Sequence, residues 1–93
     1  MRRLPLRSIE AFIVVARLLN LTRAAAEMGL TVPALSRRIG LLEQELGTAL
    51  FRRLPRGLAL TEAGAAYAAS LAPAWAAMVS ATEAAAPIPR GAG

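Results

Sequence analysis

Apolar residues recur at helical spacing in four stretches of this chain, and a short extended hairpin pattern separates the third stretch from the fourth. Ile9, Phe12, Ile13 and Ala16 share one face of a first helix, which the spacing predicts from a Ser8 cap to about Leu19. Leu18-Leu19-Asn20-Leu21 is the connection, with Leu21 placed to staple the entry of the next helix. Thr22 is the predicted cap of that second helix, whose Ala24, Ala25 and Met28 form a small-residue face for close packing. Gly29 supplies the left-handed backbone that ends it. Thr31 is the predicted cap of a third helix, and Pro33 suits its first turn, where a missing N–H costs nothing. Leu35, Ile39, Leu42 and Leu46 follow at steps of 4, 3 and 4 and form its core face, with Gly47 at its end. Pro33, Ser36, Arg37 and Gly40 lie opposite.

Ala49 to Arg53 and Leu58 to Leu60 flank a Leu54-Pro55-Arg56-Gly57 turn, which predicts two short strands in a hairpin, or wing. The wing gathers Arg52, Arg53 and Arg56. A merely solvated charged loop is the alternative, but a wing beside a basic helix is well placed for a minor groove or a phosphate backbone. Thr61 caps the last helix, with Glu62 near the positive end of its dipole, and the helix runs to about Ala86. Tyr67, Leu71, Trp75, Met78 and Val79 make a stripe on it at steps near four, and Pro73 is expected to bend it or remove a backbone bond near Ala69. Residues 87–93, rich in proline and glycine, read as a flexible tail.

These elements predict a mainly α fold: a winged helix-turn-helix of three helices and a two-stranded β wing, followed by a long linker or dimerisation helix. The divisions are 1–60 for the winged unit, 61–86 for the linker helix and 87–93 for the tail. Two helices joined this tightly, the second showing hydroxyl and guanidinium groups, match a motif that puts a recognition helix into the DNA major groove.

Charge and chemistry narrow the function. The 93 residues suit one small domain with a limited core, so association would help it. The net charge is +5, and all 11 cationic side chains are arginine, whose planar fork donates paired hydrogen bonds to phosphate and base edges. The sequence pI near 11.6 favours a polyanionic partner. With no cysteine and no histidine, disulfides, thiolate metal sites, the usual general base and the commonest zinc ligands are absent. All six acids are glutamates, and none pairs with a plausible nucleophile, so no enzyme, metal or cofactor is expected. The apolar run from Ile9 to Val15 is broken by Glu10, and no cleavage site follows, which disfavours a signal peptide and favours the cytoplasm.

The last helix has three readings: packing on its own domain only, dimerisation through a small-residue surface, or a membrane span. Ala63 to Thr82 carries no charge over roughly 20 residues, long enough to span. Its alanine, serine, threonine and glycine give little transfer free energy. Dimerisation is favoured, with one face on the winged unit and the Tyr67–Trp75 stripe meeting a second copy.

From Leu6 to about Met78 the chain resembles the DNA-binding half of LysR-type bacterial transcriptional regulators. The resemblance rests on Leu21 to Ala25, Pro33 to Ile39, Leu42 to Gly47, Leu50 to Arg53 and Leu60 to Gly64, in family order and spacing. The Phe51-Arg52-Arg53 and Arg56 to Gly64 stretches look like the glycine-cleavage-activator subgroup. The resemblance implies a winged helix-turn-helix whose linker helix pairs with a second copy, and tetramers where an effector domain is present. By motif position it implies that Pro33, Ser36 and Arg37 contact bases and phosphates in the major groove, with Arg38 beside them. It further implies that Thr22 and Thr31 lie near phosphate, Arg53 touches the backbone and Arg56 reaches the minor groove. Val32 stands where the family often has glutamine and can make only apolar contact, as with a thymine methyl. Gly40 and Leu41 replace positions that are often polar or basic. No residues correspond to the family's two-lobed effector-binding domain, so the chain is either a fragment or a short regulator, with no small-molecule site of its own.

The expected function is sequence-specific binding of double-stranded DNA by a homodimer in the bacterial nucleoid, for transcriptional control. Two rivals stand beside it. One is an interaction module that heterodimerises with a full-length relative. The other is a nonspecific nucleoid-type binder, suggested by Val32 and Gly40.

Overall fold

A computed structural model describes residues 3–87. Its order is α1 (Leu6–Leu18), α2 (Leu21–Met28), α3 (Val32–Leu46), β1 (Phe51–Leu54), β2 (Gly57–Leu60) and α4 (Glu62–Ala85). This is the winged helix-turn-helix with a long trailing helix that the pattern predicts.

Two helix starts differ from the expected ones. Pro5 occupies the N-cap of α1 without a side-chain cap, and its carbonyl accepts from Ile9 N at 2.9 Å. Ser8 therefore sits inside the first turn. Asn20, not Thr22, caps α2: its side-chain oxygen accepts from Arg23 N at 2.9 Å. Asparagine is the stronger cap. The preceding Leu19 takes a left-handed conformation, φ 50 and ψ 37, that turns the chain so Asn20 arrives extended. That shift makes Leu21 the first helical residue rather than a staple before the cap.

The other boundaries follow the sequence. Gly29 (φ 66) and Gly47 (φ 71) close α2 and α3 with paired backbone bonds. Leu30 N and Gly29 N donate to Ala25 and Ala26, and Thr48 N and Gly47 N donate to Glu43 and Gln44. This is the Schellman closure, which needs a residue at positive φ and so favours glycine. Thr31 caps α3 by accepting from Ala34 N at 3.2 Å, with Pro33 in the first turn. The wing strands pair antiparallel from Phe51↔Leu60 to Leu54↔Gly57, leaving Pro55 and Arg56 at the tip.

The core forms where the three small helices meet the wing. Its largest fully buried side chains are Phe12, Leu35, Leu42, Leu50 and Val15, with Ala24 and Ala25 letting α2 approach closely. Phe12 lies between Phe51, at 5.4 Å and 47°, and Tyr67, at 5.0 Å and 43° between ring centroids and planes. These tilted pairs tie α1, the wing and α4 together.

Thr61 does two jobs at the start of α4. Its hydroxyl oxygen accepts from Gly64 N at 3.0 Å, and its O–H donates to Ala49 O at 2.7 Å. Tyr67, Ala68 and Leu71 pack on the core. On the stripe expected to dimerise, Tyr67 and Leu71 are half-buried against the chain's own core, because the first turns of α4 lie against α1 and β2. Further along, Trp75 is half-buried while Met78 and Val79 are 47% and 41% exposed, so these three are what the helix leaves unpartnered. The helix continues through Pro73 without interruption. Among the described residues no helix is long and apolar enough to cross a membrane. The tail expected at 87–93 lies outside the described residues, except for Pro87.

Candidate nucleic-acid interface

The surface bearing the predicted DNA contacts is built from three pieces. The first is the start of α3. Thr31 and Pro33 are exposed there, Ser36 and Arg38 are half-buried, and Arg37 is exposed. No acidic residue occupies the first turn, so the free amides and the positive end of the helix dipole face outward without a local counter-charge. Val32 partly packs on the core, which limits the apolar base contact expected of it. The second piece is the start of α2, where Thr22 is exposed within the first turn. The third is the wing, on which Arg52, Arg53 and Arg56 are all exposed.

The fold brings these pieces together. Ser36 on α3 and Arg53 on β1 line one cleft of about 110 Å³, with Gly40 and Leu58 among its other walls. Thr22 and Arg53 share a second surface cleft with Asn20 and Gly57. Arg53 thus stands between both helices of the motif. Strand alternation explains it: Arg53 points to the same side of β1 as Phe51, which leans on the core, whereas Arg52 points to the other side. The Gly57 backbone approaches the corner between α1 and α2, where an added Cβ would lie 3.5 Å from Leu19 O.

The guanidinium groups are available. Arg17 of α1 pairs with Glu27 of α2, and among the described residues no other ion pair occurs. Arg37, Arg38, Arg53 and Arg56 are therefore not consumed internally. No group of three metal-ligating side chains forms among the described residues either.

Glu43 has a structural role that its place on the helix does not announce. Gln44 and Glu45 are exposed, but Glu43 is half-buried, and its Oε2 accepts from Leu50 N at 2.7 Å and from Phe51 N at 3.3 Å. It ties the end of the recognition helix to the root of the wing. Spacing alone carries no signal for this, because the partners are backbone amides seven and eight residues on. Asn20 was missed as a cap because Thr22 offered an equally plausible start two residues later.

Burial raises the Tyr67 phenol above its ordinary value of 10.0. That group lies behind the interface and serves packing.

Residues 6–65 match the family described as bacterial regulatory helix-turn-helix protein, lysR family. The HTH-type transcriptional regulator BudR of Klebsiella aerogenes is 53% identical over 62 residues, covering 67% of this chain and 43% of that relative. A LysR-family transcriptional regulator from Eggerthella lenta is 42% identical, with a TM-score of 0.65 over 69% of this chain and 91% of that one. A crystal structure of a BenM DBD in complex with catB site 1 DNA aligns at TM-score 0.71 and 34% identity, over 90% of this chain and 98% of that one. The chain spans less than half the length of the curated relatives it matches. A recognition helix with an uncompensated start, a basic wing beside it and agreement over residues 6–65 lead to one conclusion: the chain belongs to the LysR family of bacterial helix-turn-helix regulators and carries its DNA-binding domain.

Proposed function

We propose that this chain binds double-stranded DNA sequence-specifically as a homodimer and thereby regulates transcription in the bacterial cytoplasm. The observation that carries the reading is the cleft shared by Ser36 and Arg53, which sets the recognition helix and the wing side by side as one basic surface. The start of α3 enters the major groove. Pro33, Ser36 and Arg37 face base edges there, with Val32 contributing an apolar contact at its exposed edge. Thr22, Thr31, Arg38 and Arg53 hold the flanking phosphates, and Arg56 at the wing tip enters the neighbouring minor groove. That BenM DBD was crystallised with DNA supports the same use of the same fold.

The dimer forms through α4. Trp75, Met78 and Val79 border an apolar groove of about 340 Å³ with Leu6 of α1, and a second α4 is the natural cover for it. Two copies then present two recognition helices to half-sites of an imperfect palindrome.

Selecting bound duplexes from a random pool and measuring their affinity against unselected duplex tests the reading. A recovered motif with two related half-sites supports it. Equal affinity for every duplex makes the chain a nonspecific binder instead. Sedimentation of the chain alone and mixed with a full-length relative separates the homodimer from a heterodimerising module, since the groove fits either helix.

A further inference from the structure

Arg52 is the wing arginine that the reading above leaves without a role. It is exposed on β1, and among the described residues it enters no ion pair, not even with Glu62 at the start of α4. The register sets it opposite Ala59 and on the same side of the hairpin as Leu54, and no strand residue on that side is acidic. Arg53 is on the other side with Leu58, in the cleft that Glu43 also borders. Successive residues of a strand point to opposite faces, so the two guanidinium groups leave the hairpin in opposite directions, one strand step apart. Pro55 and Arg56 sit beyond both, at the tip.

This arrangement matches the two walls of a groove. With α3 in the major groove and Arg56 in the neighbouring minor groove, one sugar–phosphate strand runs between helix and wing. Arg53 is on that side. The second strand forms the far wall of the minor groove, which is about 6 Å wide, and lies on the side of Arg52. We propose that Arg52 contacts a phosphate of this second strand, so that the wing grips both walls of one minor groove while Arg56 enters between them. The forked donors of a guanidinium suit a phosphate, and its long stem suits the reach from the hairpin. The competing role for Arg52 is to guard an exposed strand edge against pairing with another chain, where any charge would serve. The contact rests on the DNA reading above and adds to it a residue and a strand.

The test uses the full 93-residue chain and its Arg52→Ala, Arg52→Lys and Arg53→Ala variants. Each is titrated by anisotropy onto a labelled duplex recovered from a random pool, over a range of salt. The titrations are repeated with one phosphate at a time replaced by neutral methylphosphonate along both strands. Arg52→Ala is expected to keep its Tm, to lower the slope of log affinity against log salt by about one, and to bind about fivefold more weakly at about 0.15 M salt. Arg52→Lys keeps the slope. Neutral phosphates on both strands weaken the unchanged chain, whereas Arg52→Ala becomes indifferent to one on the far strand and Arg53→Ala to one on the near strand. Unchanged slope and affinity in Arg52→Ala, beside a loss in Arg53→Ala, overturn the contact and leave DNA recognition intact. Indifference of both variants to phosphates of the same strand overturns it equally. If alanine lowers the Tm, Arg52→Gln keeps a polar stem on the strand and is held to the same slope and the same strand. Failure of the unchanged chain to bind any duplex, recovered or unselected, overturns the DNA reading and this contact together.

Discussion

Glu43 Oε2 accepts a hydrogen bond from Leu50 N at 2.7 Å. This joins the last turns of the recognition helix to the first residue before the wing. Leu50 is almost wholly buried, so its amide has no easy alternative in water. The wing arginines therefore take their position from a carboxylate on the helix they work beside.

Removing that carboxylate has a definite consequence. Glu43→Ala leaves the Leu50 amide unpaired and lowers stability by about 1–3 kcal/mol. Thermal unfolding measures the loss, and faster hydrogen exchange at Leu50 and Phe51 than elsewhere in the core shows where it falls. Uniform exchange across the chain would contradict this role.

Gly64 locks the other side of the same junction. Its missing side chain allows α4 to lie on the Leu50 backbone, where an added Cβ would sit 2.9 Å from the carbonyl carbon. Gly64→Ala displaces the helix or the strand root and costs about 1–3 kcal/mol, despite alanine's better helix propensity. An unchanged or raised Tm would mean that the junction yields without strain.

Arg56 stands at the wing tip, exposed and outside any ion pair among the described residues. Arg56→Ala should leave the Tm within about 0.5 kcal/mol of equivalent stability, as for an ordinary surface change. It should weaken binding to all duplexes and lower the salt slope by about one. An unchanged slope would remove the wing from the interface.

Arg37 faces outward one residue after Ser36 on the recognition helix. Arg37→Ala should cost about 1–3 kcal/mol of discrimination between a selected duplex and its single-base variants. Competition binding reads this directly. Equal loss on every duplex would reassign Arg37 to the phosphates.

Tyr67 gives a pH dependence that can be isolated cleanly. The chain has one tyrosine, no histidine, no cysteine and no lysine, so few groups titrate in the alkaline range. Burial raises the folded-state pKa of Tyr67 above that of the unfolded chain. The folded state thus holds the phenolic proton more tightly, and this contribution is fully present below the ordinary value of 10.0. It is lost as pH rises from there through the folded-state value. Tyr67→Phe should flatten the fall in Tm over that range, and identical slopes for the two proteins would exclude Tyr67 as its source.

Helix periodicity and end signals on their own determined most of this protein. The four helices, the wing around Pro55 and Arg56, the caps at Thr31 and Thr61 and the glycine stops at Gly29 and Gly47 are local features, written within a few residues of where they act. The outward face at the start of α3, with Pro33 and Arg37 exposed, was equally legible, because a residue's place around a helix follows from its spacing.

Only the tertiary structure decided which competing signals prevail. Leu19 turns left-handed and hands the cap of α2 to Asn20, because the chain must leave α1 at an angle that seats Ala24 and Ala25 on the core. The stripe on α4 was a correct helical face, but periodicity records only that residues share a side and not what that side meets. Packing against Phe12 half-buries Tyr67, while Trp75, Met78 and Val79 run past the end of the core. Glu43 follows the same rule. Its partners are backbone amides across a turn, and only folding brings them within reach of its carboxylate.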